Sequence, residues 1–213
     1  MTAIRAAAAL LLVLGPAGRA AAGCPAEEAP IEPPCGFAAL ERMRDTFADR
    51  AAAAGVKLPS APALREREEP GLGVWSAERG ELAVPQWSAL APEERRLIAR
   101  MAGSEARAPE LFAWLHRWYL PACGLARAYG AGETGSRASR AAHDLAVAFL
   151  RDEPHGPERL VRLAALVEAA AARLEETEDP GARSARVELR LAQDSLRRRD
   201  ALRFDEALAR AHP

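Results

Sequence analysis

From Pro92 onwards, apolar residues recur every three or four positions, and this spacing limits what the chain can fold into. Residues at this spacing share one face of an α-helix, whereas a half-buried strand needs them at every second position. The clearest stripe runs through residues 160–174, and proline or glycine separates successive stripes. The pattern predicts one helix that starts at Pro92 and another that starts at Pro109. It also predicts helices over Ser136–Arg151, from Pro157 onwards, after Pro180 to about Arg199, and over Phe204–Ala211.

The segment before these helices predicts one more helix and a small amount of β-structure. Gly36 to Val56 carries an apolar stripe with charges opposite, which predicts a helix, and the proline-rich, charged stretch from Pro59 to Pro70 predicts a loop. Val74–Trp75 and Leu82–Val84 flank turn-like residues, which predicts a short hairpin packed on the helices. The expected fold is therefore α+β and predominantly α, with five or six helices and one small β-hairpin, in a single domain over residues 36–213.

The first 22 residues have the three regions of a signal peptide. Arg5 supplies a positive start, Ala6 to Leu14 form a short apolar run, and Ala20 to Ala22 provide the small residues of a cleavage site. The apolar run is too short to span a bilayer as a helix. We therefore expect an exported protein, periplasmic or secreted, whose mature chain begins near residue 23.

Two routes of processing remain open. The alanines allow ordinary cleavage before Gly23, whereas residues 21–24 resemble a bacterial lipoprotein box in which Cys24 would carry lipid, although that box prefers leucine where Ala21 stands. Residues 23–35 are rich in proline and glutamate and predict an extended tether. Lipid on Cys24 would leave Cys35 and Cys123 as candidates for a disulfide, and it would be the protein's link to a membrane.

The charge balance excludes one class of partner. The formal net charge is −1, without the basic excess on which nucleic-acid binding relies. An arginine stripe follows Pro180, and it predicts either a solvated helix face or a surface for an anionic partner. It comprises Arg183, Arg186, Arg190 and Arg197.

Candidate chemistry centres on Cys123 and two histidines. His116 lies seven residues before Cys123, about 10 Å along a helix, so contact between them needs a sharp bend at Pro121. His143 follows on another predicted helix beside Asp144, where a surface or partly buried polar pair is expected. The histidines form no zinc-binding spacing, and no serine-nucleophile elbow occurs. A displaced site of His116, Cys123 and His143 stays one hypothesis, and a plain buried thiol at Cys123 the other.

The stretch from Gly73 to Asp152 resembles the minimal catalytic module of bacterial HExxH-type zinc metallopeptidases. The resemblance begins with the hairpin up to Trp87, continues with a helical spacer over residues 88–104, and centres on the aromatic-rich segment Phe112–Leu125. Gly124 stands at the glycine of a His-Glu-Leu-Gly-His run. This resemblance implies a zincin-like domain in which the hairpin borders a cleft.

The residues that would perform the family's chemistry are replaced. The positions of the two metal-binding histidines fall on Pro121 and Leu125, and that of the general-base glutamate falls on Ala122. The third ligand position falls near Ser139 or Ala141. Because these side chains cannot bind zinc or activate water, the resemblance implies a scaffold without catalysis, metal or other cofactor.

Three functions follow as expectations. The first is an exported, non-catalytic, pseudo-metallopeptidase-like protein that binds a protein or peptide partner in the old cleft. The second is a periplasmic helical lipoprotein with a structural or envelope role. The third is a hydrolase that uses the displaced site of His116, Cys123 and His143.

Overall fold

The computed structural model describes residues 32–33, 36–57, 60–130, 135–175 and 182–211. The predicted signal peptide lies outside these residues, as do Cys24 and Cys35, so the lipidation and disulfide predictions stay predictions. No helix of the described residues combines the length and the apolar character that crossing a bilayer requires.

Helices dominate the described residues, and the predicted α+β, predominantly α fold is confirmed. Helices begin at residues 92 and 136 as predicted, and α8 has the predicted bounds. The helices in chain order are α1 (Phe37–Ala53), α2 (Pro92–Ala102), α3 (Ala108–Trp114), α4 (Leu120–Tyr129), α5 (Ser136–Arg151), α6 (Gly156–Glu175), α7 (Ala182–Arg197) and α8 (Phe204–Ala211).

The sheet is larger than the predicted hairpin. The strands β2 (Trp75–Ser76) and β3 (Glu81–Pro85) pair antiparallel as expected, but β1 (Ala63–Arg67) pairs parallel to β3 on its other side. The prediction of a loop from Pro59 to Pro70 was therefore wrong for the middle of that stretch. Its charged residues suit an edge strand, whose side chains stay half exposed, so the local pattern hid the strand.

The fifth helix is the centre of the domain. Residues 142–150 of α5 are all buried, because this helix packs against α4, α6, α7 and α8. Asp144 was expected to form a surface or partly buried pair with His143, but both are buried and have separate partners. Asp144 accepts hydrogen bonds from Ser195 at 2.6 Å and Arg198 at 2.8 Å, which ties α5 to α7.

A π-helical turn at Leu115–Tyr119 joins α3 to α4. Because proline lacks the amide donor and crowds the preceding turn, the sequence predicts a kink or break between Arg117 and Pro121. The observed solution is the wider π turn, after which Pro121 occupies the first turn of α4. The chain stays helical through the proline, and the sequence indicated the irregularity but not its form.

Candidate functional site

A cavity of about 350 Å³ lies between the sheet, the α3–α4 segment and α7. The segment leading into β2 forms one wall, with Leu72, Val74 and Trp75, and Leu97 and Met101 of α2 add apolar surface. On the α3–α4 segment, the lining residues follow the spacing of one helix face. They are Leu115, His116, Tyr119, Leu120, Cys123, Gly124 and Arg127.

The π turn and Pro121 affect the geometry of the site, because they lie next to this helix face. The wider turn changes the register between α3 and α4, and thereby the direction in which His116 and Tyr119 point relative to Cys123. The other two aromatic residues of the segment, Trp114 and Trp118, are buried in the core and pack edge to face at 5.4 Å. They fill space in the core, whereas Tyr119 lines the cavity.

His116 is a neutral imidazole on the cavity wall. Its side chain is 5% exposed, stacks on Phe112 with 5.2 Å between ring centroids, and forms a hydrogen bond with the backbone of Leu72. Burial lowers the pKa of His116 to about 4 despite that hydrogen bond, so the ring is uncharged at neutral pH. Its Nδ1 finds no hydrogen-bond partner among the described residues. Since the Leu72 bond leaves Nε2 as the donor, Nδ1 offers an acceptor lone pair.

A second polar group connects α4, α5 and α7 around His143. The Tyr119 hydroxyl lies 2.7 Å from His143 Nδ1, and Cys123 Sγ lies 3.6 Å from the same nitrogen. On the other side of the ring, Nε2 lies 3.0 Å from a carboxylate oxygen of Glu188. Arg127 donates to the Glu188 carboxylate at 3.2 and 3.4 Å. Five side chains, from the π turn, α4, α5 and α7, therefore form one network.

The charges of this network depend on each other. Burial by itself lowers the pKa of His143, but Cys123 and Glu188 outweigh it and raise the pKa to about 9. The hydrogen bond from His143 and the charge of Arg127 hold the pKa of Glu188 below its usual value against the effect of burial. Burial and the neighbouring Cys123 raise the pKa of Tyr119 well above its usual value, so its hydroxyl keeps its proton.

The structure brings the three residues of the displaced-site hypothesis to one cavity. His116, Cys123 and His143 all line it, although Cys123 contacts His143 rather than His116. Cys123 is buried and is the only cysteine among the described residues, where it forms no disulfide.

The sequence reasoning missed Glu188, Arg127 and the hydroxyl of Tyr119 as members of the site. Glu188 carried a signal, because it is an acidic residue inside the apolar stripe of α7 that runs through Ala185, Leu189 and Ala192. A charge at a core-facing position is uncommon unless it has a partner.

Three of the four arginines of the α7 stripe have partners within the domain. Arg190 lies 3.2 Å from Glu175, Arg197 lies 3.6 Å from Glu168, and Arg186 donates to the backbone of Leu174. These contacts support the interpretation of the stripe as a solvated face that pairs with α6.

The positions implied by the metallopeptidase resemblance lie elsewhere. Pro121, Ala122 and Leu125 are buried in the core, and the described lining of the cavity includes none of them. Ser139 is half-buried on α5. The region before the hairpin borders the cavity, but it faces Cys123 and Gly124 of α4 instead of Pro121 and Leu125.

The described residues contain no group of three or more His, Cys, Asp or Glu side chains arranged to hold a metal ion. Comparison with known proteins adds no relative, because no protein-family model, curated protein or solved structure matches the chain. The metallopeptidase resemblance therefore stays a prediction.

Proposed function

We propose that this is an exported protein that lacks metallopeptidase chemistry and acts by binding, with an apolar side chain of a protein or peptide partner held in the cavity. The observation that carries the proposal is the cavity itself, which combines apolar walls with the buried acceptor nitrogen of His116. Binding sites commonly have this composition, in which a few polar groups in an apolar pocket orient the ligand.

The size and the opening of the cavity support this kind of ligand. A volume of about 350 Å³ lies at the small end for ligand sites and suits a side chain with its adjoining amide better than a large molecule. Arg127 and Glu188 are 34% and 37% exposed, whereas His116 and His143 are buried, so the cavity opens to solvent between α4 and α7. An amide N–H of the ligand can donate to His116 Nδ1.

Ligand-observed NMR with N-acetylated amino-acid amides tests the proposal. We expect saturation transfer to the leucine, methionine and phenylalanine amides and none to the glycine amide, because the apolar cavity walls favour the binding of apolar side chains. Ala185→Phe should abolish the transfer, since residue 185 lines the cavity from α7. Val187→Phe is the matched control, because Val187 lies on the same helix but is 54% exposed.

Two outcomes would contradict the proposal. One is the absence of transfer to any of the apolar amides by the folded protein. The other is equal transfer in the Ala185→Phe and Val187→Phe variants, which would place the contact outside the cavity. Thermal unfolding of both variants, followed by circular dichroism, checks that they are folded. A folded protein with an inert cavity would favour the structural or envelope role instead.

A further inference from the structure

Three helices place a thiol, an imidazole and a carboxylate next to one another at the cavity. Cys123 on α4 lies 3.6 Å from Nδ1 of His143 on α5, and Nε2 of that ring lies 3.0 Å from Glu188 on α7. A nucleophile within reach of a base, and a base held by a third group, is the arrangement that activates a weak nucleophile. All three side chains line the cavity.

The outer partner determines which ring nitrogen of His143 accepts a proton. Arg127 donates to Glu188, and a carboxylate can only accept a hydrogen bond. His143 Nε2 must therefore carry the proton, which leaves Nδ1 as the acceptor on the side of Cys123. Transfer of the thiol proton to Nδ1 gives a thiolate–imidazolium pair, the state in which Cys123 and Glu188 raise the pKa of His143.

Tyr119 supplies a second donor next to the same nitrogen. Its hydroxyl lies 2.7 Å from Nδ1, closer than the thiol, and it also forms a hydrogen bond with Cys123. While Nδ1 is unprotonated, Tyr119 can donate to it. After Nδ1 takes the thiol proton, the Tyr119 hydroxyl becomes available to donate to the thiolate, since it keeps its own proton.

We propose that Cys123 is a nucleophile that accepts the acyl group of an ester of an apolar carboxylic acid bound in the cavity. This inference rests on the proposed binding function and adds a covalent step to it. The thiol proton passes to His143 Nδ1, and the sulfur attacks the ester carbonyl carbon. A C–S bond forms, the C–O bond to the alcohol breaks, and His143 returns the proton to the leaving oxygen. The products are an S-acyl protein and the free alcohol. In this scheme Glu188 is a positioning residue.

Intact-mass analysis after incubation of the full mature chain with 4-nitrophenyl butyrate tests the step. We expect one butyryl group, mapped by peptide analysis to Cys123, and release of an equal amount of nitrophenolate. Cys123→Ala should lose this adduct while it retains the other cysteines of the chain. Ala185→Phe should slow acylation, whereas Val187→Phe should leave the rate unchanged, because it alters the exposed face of α7.

The Glu188→Gln variant separates positioning from a merely structural role. It keeps an oxygen acceptor for Nε2 but removes the charge that stabilises the imidazolium, so we expect an acylation rate lower by about tenfold or more. The pH at which the rate reaches half its maximum should also move up, because the imidazolium that balances the thiolate is then less stable. A structural role would change the melting temperature without moving this pH.

The failure of this inference can be distinguished from that of the binding function. Binding of the apolar amides without an adduct at Cys123 would overturn the nucleophile and leave the binding proposal intact. An adduct at Cys123 without amide binding would support the nucleophile and overturn the peptide as ligand. Butyrylation of the wild type at other residues only, or equal labelling of the Cys123→Ala variant, would also overturn the nucleophile.

Discussion

Two histidines share one cavity and have opposite electrostatic surroundings. Burial without an acidic partner lowers the pKa of His116 to about 4, whereas Cys123 and Glu188 raise the pKa of His143 to about 9. A raised pKa means that the contribution of His143 to stability is fully present below pH 6.5 and is lost as the pH rises through about 9. For His116 the sign is reversed, because the unfolded chain takes up a proton first as the pH falls.

We predict that His116 makes the protein sensitive to acid. Between pH 6.5 and about 4 the unfolded chain binds a proton at this residue and the folded chain does not, so the free energy of unfolding should fall by about 3 kcal/mol. The His116→Leu variant lacks this contribution and should lose less stability over that range. Urea unfolding at a series of pH values measures the difference, and parallel curves for the two proteins would contradict it.

At the scale of single elements, the π turn at Leu115–Tyr119 allows a proline to sit inside a continuous helical segment. In a regular helix interior, replacing Pro121 by alanine would stabilise the protein, because proline costs about 3 kcal/mol there. In the first turn of α4 its missing donor costs little, and its ring fills buried space.

We therefore predict that Pro121→Ala destabilises the domain by about 1 kcal/mol, through lost packing and a more flexible unfolded chain. Chemical denaturation measures the change. Pro92→Ala is a control, since Pro92 is the exposed first residue of α2 and its replacement removes no buried packing. A gain in stability for Pro121→Ala would show that the proline is strained and that the π turn does not accommodate it.

Helix α4 packs closely on the sheet at Gly124. A methyl group at this position would meet the side chain of Leu82 on β3 and the Cβ of Trp75 on β2. Gly124→Ala should therefore destabilise the protein by about 1–3 kcal/mol, because a packed core accepts extra volume poorly.

Gly73→Ala is the matched control for this substitution. An added methyl group there has none of the described atoms within 4 Å, and Gly73 has no left-handed backbone conformation. This change should be neutral or stabilise the protein by less than about 1 kcal/mol. Equal effects of the two substitutions in denaturant unfolding would mean that the contact between α4 and β3 is looser than described.

At the scale of the whole molecule, α5 joins the domain together through its buried face and its two polar anchors, His143 and Asp144. Hydrogen bonds and apolar packing hold α5 to its neighbours. We predict that the protein purified without chelators contains no stoichiometric zinc and that a chelator leaves its melting temperature unchanged. Elemental analysis that found about one equivalent of zinc, lost on mutation of His116 or His143, would contradict this.

Export is the second prediction for the molecule as a whole. The mature chain should begin at Gly23 or at Cys24, and in the second case Cys24 should carry lipid. Intact-mass analysis of the protein produced in a bacterium distinguishes the two. Recovery of the full-length chain from the cytosol, with Met1 retained, would show that the N-terminal segment is not a signal peptide.

Local pattern was sufficient for the helices. The stripes and the proline or glycine residues between them predicted α5 and α8 at their observed bounds, because the 3.6-residue period is written into each segment. The strand β1 was not predicted, because its charged residues show little periodicity and its pairing with β3 depends on the tertiary structure. The burial of His143 and Asp144 was not predicted either, because both belong to a helix that other elements cover on all sides.

The sequence by itself determined the helical class of the domain, most helix boundaries and the residue types available for chemistry. Tertiary structure decided which of those residues meet. Cys123, His143 and Glu188 are separated by 20 and 45 positions along the chain, and the angles at which α4, α5 and α7 cross bring them together. The physical reason is that periodicity reports which face of a helix is buried, whereas the partner of each face depends on how all the helices pack around one core.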